Sequence, residues 1–394
     1  MTKQLNPITN TVRASVGEDK SHGSVMPPLF LSSNFTFERF DKKRKYDYTR
    51  SGNPTRDQLG DAIADLEGGF GATITASGMA SITLALHTLE PNALVIVPHD
   101  CYGGTHRLLE ALKLKGTIRV EYINQTDKKA VLEAFKLKPQ AILIETPSNP
   151  LLRITDVEFV ATEAKKVGAL VFADNTFLSP ALQNPISLGA DLVLHSTTKY
   201  LNGHSDVVGG AIVAATQELH EKVAWWANCL GSTGAPFDAY LTLRGMRTLH
   251  TRIKQQELNT HDIVKTLATH ELVSKVYYPG LEDHEGHDIA ARQQKGYGAM
   301  VSFELKGDLE ATKLFLQKLE LFTLAESLGG VESLIAHPAT MTHAAMTPEA
   351  RVVAGIGESL LRVSVGLEAS EDLCADIKEA LDYISRPIQL VKSA

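Results

Sequence analysis

Asp174 and Lys199 stand 25 positions apart, each closing an apolar run, in GALVFADNTF and ADLVLHSTTKY. An amine able to form a Schiff base and a carboxylate able to keep a pyridine nitrogen protonated are the two side chains that pyridoxal phosphate (PLP) chemistry requires. Acids and lysines are mostly solvated surface charges, so the pair alone carries little. Its neighbours carry more.

Other polar residues also follow apolar runs. After ATIT, Ser77 can cap a helix whose first-turn amides, at Gly78 and Met79, suit a phosphate; a plain helix cap is the alternative. After ALVIVP, Tyr102 with Gly103 and Gly104 can lay a ring on a heterocycle, or be a buried tyrosine at a turn. After AILIE, the turn Thr146-Pro147-Ser148-Asn149-Pro150 presents an amide side chain fit to bond a phenolic oxygen, or is only a turn. Ser196 and Thr198 set hydroxyls beside the Lys199 amine, which suits a phosphate together with an aldehyde. In LLRVSVG, alternation puts Leu361, Val363 and Val365 on one face and Arg362 with Ser364 on the other. Arg362 can then fork a substrate carboxylate, or form a surface salt bridge. His195, His204, His337 and His343 belong to no metal-type motif and read as structural or supporting residues, so no metal is expected.

These residues need a scaffold with strand ends on one side. ATIT, ALVIVP, IRVEYI, AILIE, ALVFAD, DLVLHS and GGAIVAA are strand-like, separated by helical stretches such as 104–115, 128–136 and 156–167. That alternation predicts an α/β fold with a mostly parallel sheet covered on both faces, whose ligands bind beyond the carboxyl ends of the strands. Residues 1–60 read as an irregular arm; Asn53 then caps a helix opened by Pro54 and stopped at Gly68-Gly69. Trp225 and Trp226 read as packing residues on a helix near 217–230. After about 255 the pattern changes to helices near 259–271, 309–319 and 371–385 mixed with alternating segments, predicting a smaller α+β domain over 256–394 behind a large domain over 61–255.

With 394 residues, the chain can bury a sizeable core without stapling. Lys plus Arg number 39 against 46 Asp plus Glu, a net charge of −7 that argues against a nucleic-acid surface and for small-molecule chemistry. Cys101, Cys229 and Cys374 are far apart, which predicts neither disulfides nor a zinc site and fits a reducing cytoplasm. The polar first twenty residues suggest no signal peptide, and no membrane span is expected.

The segments DYTRSGNPTRD, TASGMASI, PHDCYGGTHR, ETPSNPLLRITD, DNTFLSPALQNP, LHSTTKYLNGHSDVVGG, LAESLGGVESL and LLRVSVG occur in that order. Together they closely resemble the Cys/Met-metabolism family of PLP-dependent enzymes, over nearly the whole chain. The resemblance implies a PLP-dependent transferase fold (fold type I, aspartate-aminotransferase-like) with a seven-stranded sheet. It implies that Lys199 carries the cofactor, Asp174 pairs the pyridinium and Tyr102 stacks on the ring and helps with proton transfer. Ser77, Gly78, Met79, Ser196 and Thr198 resemble the phosphate cup. Tyr48 and Arg50 match residues that reach the phosphate of a neighbouring subunit, which implies a homotetramer built from dimers with shared sites. Asn149 and Arg362 match the holders of the substrate carboxylate, with Asn149 also near the phenolic oxygen, while Glu326 matches an acid of γ-chemistry and Ser327, beside it, joins the expected substrate site.

Within the family, AWWANCLGSTGAPFD, HDIAARQQKGYGAMVSFEL and ESLGGVESLIAHPATMTHA resemble the branch that joins an O-succinyl- or O-acetyl-L-homoserine to L-cysteine, giving L-cystathionine for methionine synthesis. Branches that eliminate at the γ-carbon of cystathionine, and the sulfhydrylases, share almost every motif. One position departs: Ser51 follows Arg50 where a succinyl-using pattern has a second arginine, leaving Arg107 as the remaining cation expected for a distal carboxylate. A nicotinamide dehydrogenase is a rival for the α/β pattern, but Gly69-Phe70-Gly71 is followed by Ile74 instead of glycine and precedes a strand. A non-catalytic binding protein, the other rival, has no need of Lys199.

Overall fold

A computed structural model describes residues 5–344 and 346–385. The first four residues of the expected arm, Ala345 and residues 386–394 of the expected C-terminal domain lie outside the described residues.

Seven strands build the main sheet: β1 (Gly71–Thr75), β2 (Ala93–Pro98), β3 (Ile118–Ile123), β4 (Ala141–Glu145), β5 (Leu170–Asp174), β6 (Leu192–Ser196) and β7 (Gly210–Ala214). Their order is β1-β7-β6-β5-β4-β2-β3, with β7 antiparallel to both neighbours and the other pairings parallel. Each corresponds to one of the seven apolar runs. Successive residues point to opposite faces, and both faces are covered: Leu94 and Ile96 of β2 join one core, Val95 and Val97 the other. Two-sided burial explains why the inner strands are almost wholly apolar, whereas β3 at the sheet edge alternates, with Arg119 and Glu121 exposed.

Side-chain caps start two of the helices beside this sheet. In α1 (Pro54–Glu67), the Asn53 side chain accepts from the Thr55 and Arg56 amides, Pro54 stands at the first position, and Gly68 ends the helix at φ 73°. In α2 (Gly78–His87), Ser77 Oγ accepts from the Ala80 amide at 3.1 Å. The next helix, α3 (Gly103–Leu114), starts directly after Tyr102.

A second sheet has the order β10-β11-β12-β9-β8, formed by β8 (Val273–Tyr277), β9 (Met300–Leu305), β10 (Thr323–Leu324), β11 (Leu334–Ala336) and β12 (Leu360–Ser364). The helix Leu249–Ala268 crosses the expected boundary at 255 and serves both units: Leu249 and Ile253 pack in a core under the first sheet, Ile263 and Leu267 in the core under the second. It begins ten residues before the start expected from periodicity at 259. The helix Pro236–Met246 has no counterpart among the expected elements. Trp226 packs against the core as expected, whereas Trp225 stands 60% exposed. No described helix is long and apolar enough to cross a membrane.

Candidate active site

The carboxyl ends of β1, β2, β4, β5 and β6 open on one cavity of about 420 Å³, closed from the other side by residues 326–328 and β12. Ser77, Gly78, Met79, Tyr102, Asn149, Asp174, Ser196, Thr198, Lys199, Glu326, Ser327 and Arg362 all line it. Residues spread over 286 positions of sequence thus meet at one place.

Lys199 follows β6, and its Nζ donates to Ser327 Oγ at 2.6 Å. Burial and, next, the Arg362 charge hold this amine down to about 8, against a smaller opposite pull from Glu326. Ser327 sits at φ 94°, followed two residues later by Gly329 at φ 79°. A Cβ at Gly329 would lie 2.7 Å from Tyr200 N, so only glycine lets this turn pass beside Lys199.

Asp174 is the last residue of β5, and its Oδ1 accepts from the Thr176 amide at 3.0 Å. Burial raises its carboxyl above the ordinary range. Among the described residues no Lys, Arg or His nitrogen forms an ion pair with it. A carboxylate that is costly to bury and lacks a cationic partner fits a group that brings its own N–H cation.

At the other end of the cavity, α2 abuts the end of β6. A Cβ on Gly78 would meet Ser196 Cβ at 2.8 Å, so glycine is what allows the contact. The first turn of α2, with the Ser77, Ser196 and Thr198 hydroxyls close by, makes a seat for an oxyanion. Tyr102 flanks the cavity with its ring: a Cβ on Gly104 would lie 2.6 Å from Tyr102 Cε1 and 3.0 Å from Met79 Sδ.

Arg362 is 3% exposed, on the β12 face opposite Leu361, Val363 and Val365, which pack in the second core as the alternation predicts. Nη1 donates to Asn149 Oδ1 and Nη2 to the Ser327 carbonyl, both at 2.9 Å, while Nε is buried without a partner. No described carboxylate lies within 4 Å of the guanidinium, so the salt-bridge alternative does not describe this arginine. Burial lowers it to about 10. A buried guanidinium short of an anion is a binding site for one.

Three expected residues lie elsewhere in this chain. Arg107 is exposed on α3 and does not line the cavity. Tyr48 is 50% exposed, and Arg50 donates from Nε to Asn228 Oδ1 at 3.1 Å. Arg50 and Ser51 line a second cavity of about 380 Å³ together with Lys45, Asp57, Asp61 and His220.

One cavity residue escaped the sequence reading. Glu145, the last residue of β4, takes the Tyr102 amide on Oε2 at 2.9 Å and the Asn149 amide on Oε1 at 3.1 Å. Burial and, next, Asp174 push its carboxyl up to about 8. An acid ending the apolar run AILIE is the same signal that singled out Asp174 in ALVFAD. The expected supporting histidines have local partners, His195 Nε2 with Glu67 Oε1 at 2.6 Å among them. No group of three or more His, Cys, Asp or Glu suited to a metal occurs among the described residues.

The family of Cys/Met metabolism PLP-dependent enzymes matches residues 8–382. This chain belongs to that family. The cystathionine gamma-synthase of Escherichia coli (strain K12) is 54% identical over 371 residues, 94% of this chain and 96% of that protein. The cystathionine gamma-synthase of Xanthomonas oryzae pv. oryzae, solved in complex with aminoacrylate and cysteine and in complex with cystathionine, superposes with a TM-score of 0.96 at 57% identity, covering 97% of this chain and 99% of that one. The cystathionine gamma-lyase of Lactobacillus plantarum, complexed with L-serine, is 40% identical with a TM-score of 0.93 over 97% of this chain and 100% of its own. As a family member the chain uses pyridoxal phosphate. The residues present fit that cofactor: an amine of lowered basicity, an unpaired buried acid and an open oxyanion seat share one cavity.

Proposed function

We propose that this chain catalyses γ-replacement, as a cystathionine gamma-synthase does: an O-acyl-L-homoserine, succinyl or acetyl, and L-cysteine give L-cystathionine and the free carboxylic acid. One C–O bond at the γ-carbon breaks, one C–S bond forms there, and the acyl group leaves as carboxylate. The observation that carries an amino-acid substrate is the buried guanidinium of Arg362, with no described carboxylate within 4 Å, held to Ser327 as the Lys199 amine also is. The choice of γ-replacement over elimination is supported by likeness, 54% and 57% to two synthases against 43% and 40% to two γ-lyases.

Bound PLP supplies an electron sink for charge that develops at the substrate α-carbon. Lys199 is the residue that would hold it, and its Nζ is the base that would take the proton from the substrate Cα and return it. Asp174 keeps the ring nitrogen protonated by accepting its N–H. Ser77, Gly78, Met79, Ser196 and Thr198 hold the phosphate, and Tyr102 offers its ring and assists a proton transfer. Arg362 forks the substrate α-carboxylate with Asn149 fixing one arm of the guanidinium, and Glu326 and Ser327 face the γ-carbon side. Tyr48 and Arg50 complete the phosphate seat of a neighbouring subunit, and Arg107 approaches a distal acyl carboxylate. In this reading the arm over 1–60, the cofactor domain over 61–255 and the C-terminal domain over 256–394 act in a cytoplasmic homotetramer.

A second reading, elimination from cystathionine, draws on Ser51, which leaves a distal carboxylate one cation short. Product analysis of the holoenzyme separates the two. With L-cysteine and both acyl-homoserines offered, cystathionine formation is expected to outpace oxobutyrate release from cystathionine alone; the opposite order overturns the proposal.

A further inference from the structure

Of the three carboxyls lining the cavity, Glu145, Asp174 and Glu326, only Glu145 has no part in the proposed chemistry. It stands in register with Asp174 across the β4–β5 pair and is 9% exposed. No ion pair to it occurs among the described residues. A buried carboxyl without a cation is costly unless its oxygens are hydrogen-bonded. Both oxygens are, and by backbone amides of two different turns. Tyr102 belongs to the turn after β2 and Asn149 to the turn after β4, strands that neighbour each other in the sheet. The contacts continue outward, because Asn149 Oδ1 accepts from Arg362 Nη1 at 2.9 Å.

We propose that Glu145 is a positioning residue: its carboxyl group ties the Tyr102 turn to the Asn149 turn, and through Asn149 sets the direction in which Arg362 meets a substrate carboxylate. One side chain thereby registers the aromatic wall of the cavity against its carboxylate anchor. The proposal rests on the reading of Arg362 as that anchor and is independent of the reaction that follows binding. Glutamine at 145 keeps the volume but not the bonding. Its amide oxygen can take one of the two N–H groups, while its NH₂ confronts the other donor to donor.

The test uses holoenzyme and L-alanine, which carries the α-carboxylate but no leaving group, with the visible band of the bound cofactor as the binding signal. Glu145→Gln is expected to raise the Kd for L-alanine about tenfold and to shift the band of the free holoenzyme, the second effect arising through Tyr102. Asn149→Ala is expected to raise the same Kd by a similar factor, and the double variant to bind about as weakly as the worse single one, since both act through one linkage. An unchanged Kd in Glu145→Gln, or a double variant whose loss is the product of the two single losses, overturns the proposal. Should Glu145→Gln not fold, Glu145→Asp, one methylene shorter and able to reach one amide only, carries the same comparison. No acyl-homoserine enters this experiment, so a failure of γ-replacement and a failure of the Glu145 linkage are told apart.

Discussion

Lys199 owes its character to its surroundings. Its Nζ is held by Ser327 Oγ, and burial with the Arg362 charge brings the amine down to about 8 from the ordinary 10.5. The sign follows from linkage: the folded state disfavours the ammonium, so this group opposes folding fully below about 8, and the penalty fades as pH rises from about 8 to 10.5. The same shift controls reactivity, because only the neutral amine attacks an aldehyde. Apoprotein mixed with PLP should therefore capture it at a rate that climbs about tenfold per pH unit and levels off near pH 8. A rate still climbing through pH 10 contradicts the assignment. Asp174 and Lys199 were legible as residues, since a charge that follows an apolar strand must face either a ligand or a partner, and Arg362 because alternation within LLRVSVG sets it on the face opposite the apolar side chains. Glu145 carries the same mark, an acid closing the apolar run AILIE, and is legible on the same ground. The lowered basicity of Lys199 was not legible, because it comes from burial in the folded cavity and from Arg362, 163 positions away.

At the scale of elements, the turns after the strands do the positioning and glycine makes room for them. Gly104 lies in the first turn of α3, and its missing Cβ is the space taken by the Tyr102 ring. In Gly104→Ala the new methyl meets the rim of a ring that is 42% exposed and can swing away. The thermal midpoint should change little, while the Kd for PLP rises about tenfold, about 1.4 kcal/mol. Unaltered PLP affinity contradicts the placement of Tyr102 at the cofactor. The caps at Asn53 and Ser77 and all seven strands of the main sheet were readable, because cap chemistry and two-sided burial leave local marks. The helix Pro236–Met246 was not, and the helix Leu249–Ala268 was read too short. That second helix changes partner midway, from the core under one sheet to the core under the other, so its apolar stripe does not hold a single face.

At the scale of the molecule, the cavity exists because two sheets are brought together: β1, β2, β4, β5 and β6 supply one wall, β12 and residues 326–328 the other. Arg362 reaches Asn149 across 213 positions of sequence, a closure that no local pattern announces. Composition and charge pointed to small-molecule chemistry, and the order of the motifs pointed to the family. The pairing of the second sheet, with β10 parallel to β11 and the rest antiparallel, was beyond them, since strands as short as Thr323–Leu324 have no readable period. Tyr48 and Arg50 stand outside the cavity of their own chain. The central claim is that one lysine among all those in the chain holds the cofactor. Borohydride reduction of the holoenzyme followed by peptide mapping tests it most directly: the account predicts a single pyridoxyl group on Lys199, and a label on any other lysine, or none, contradicts it.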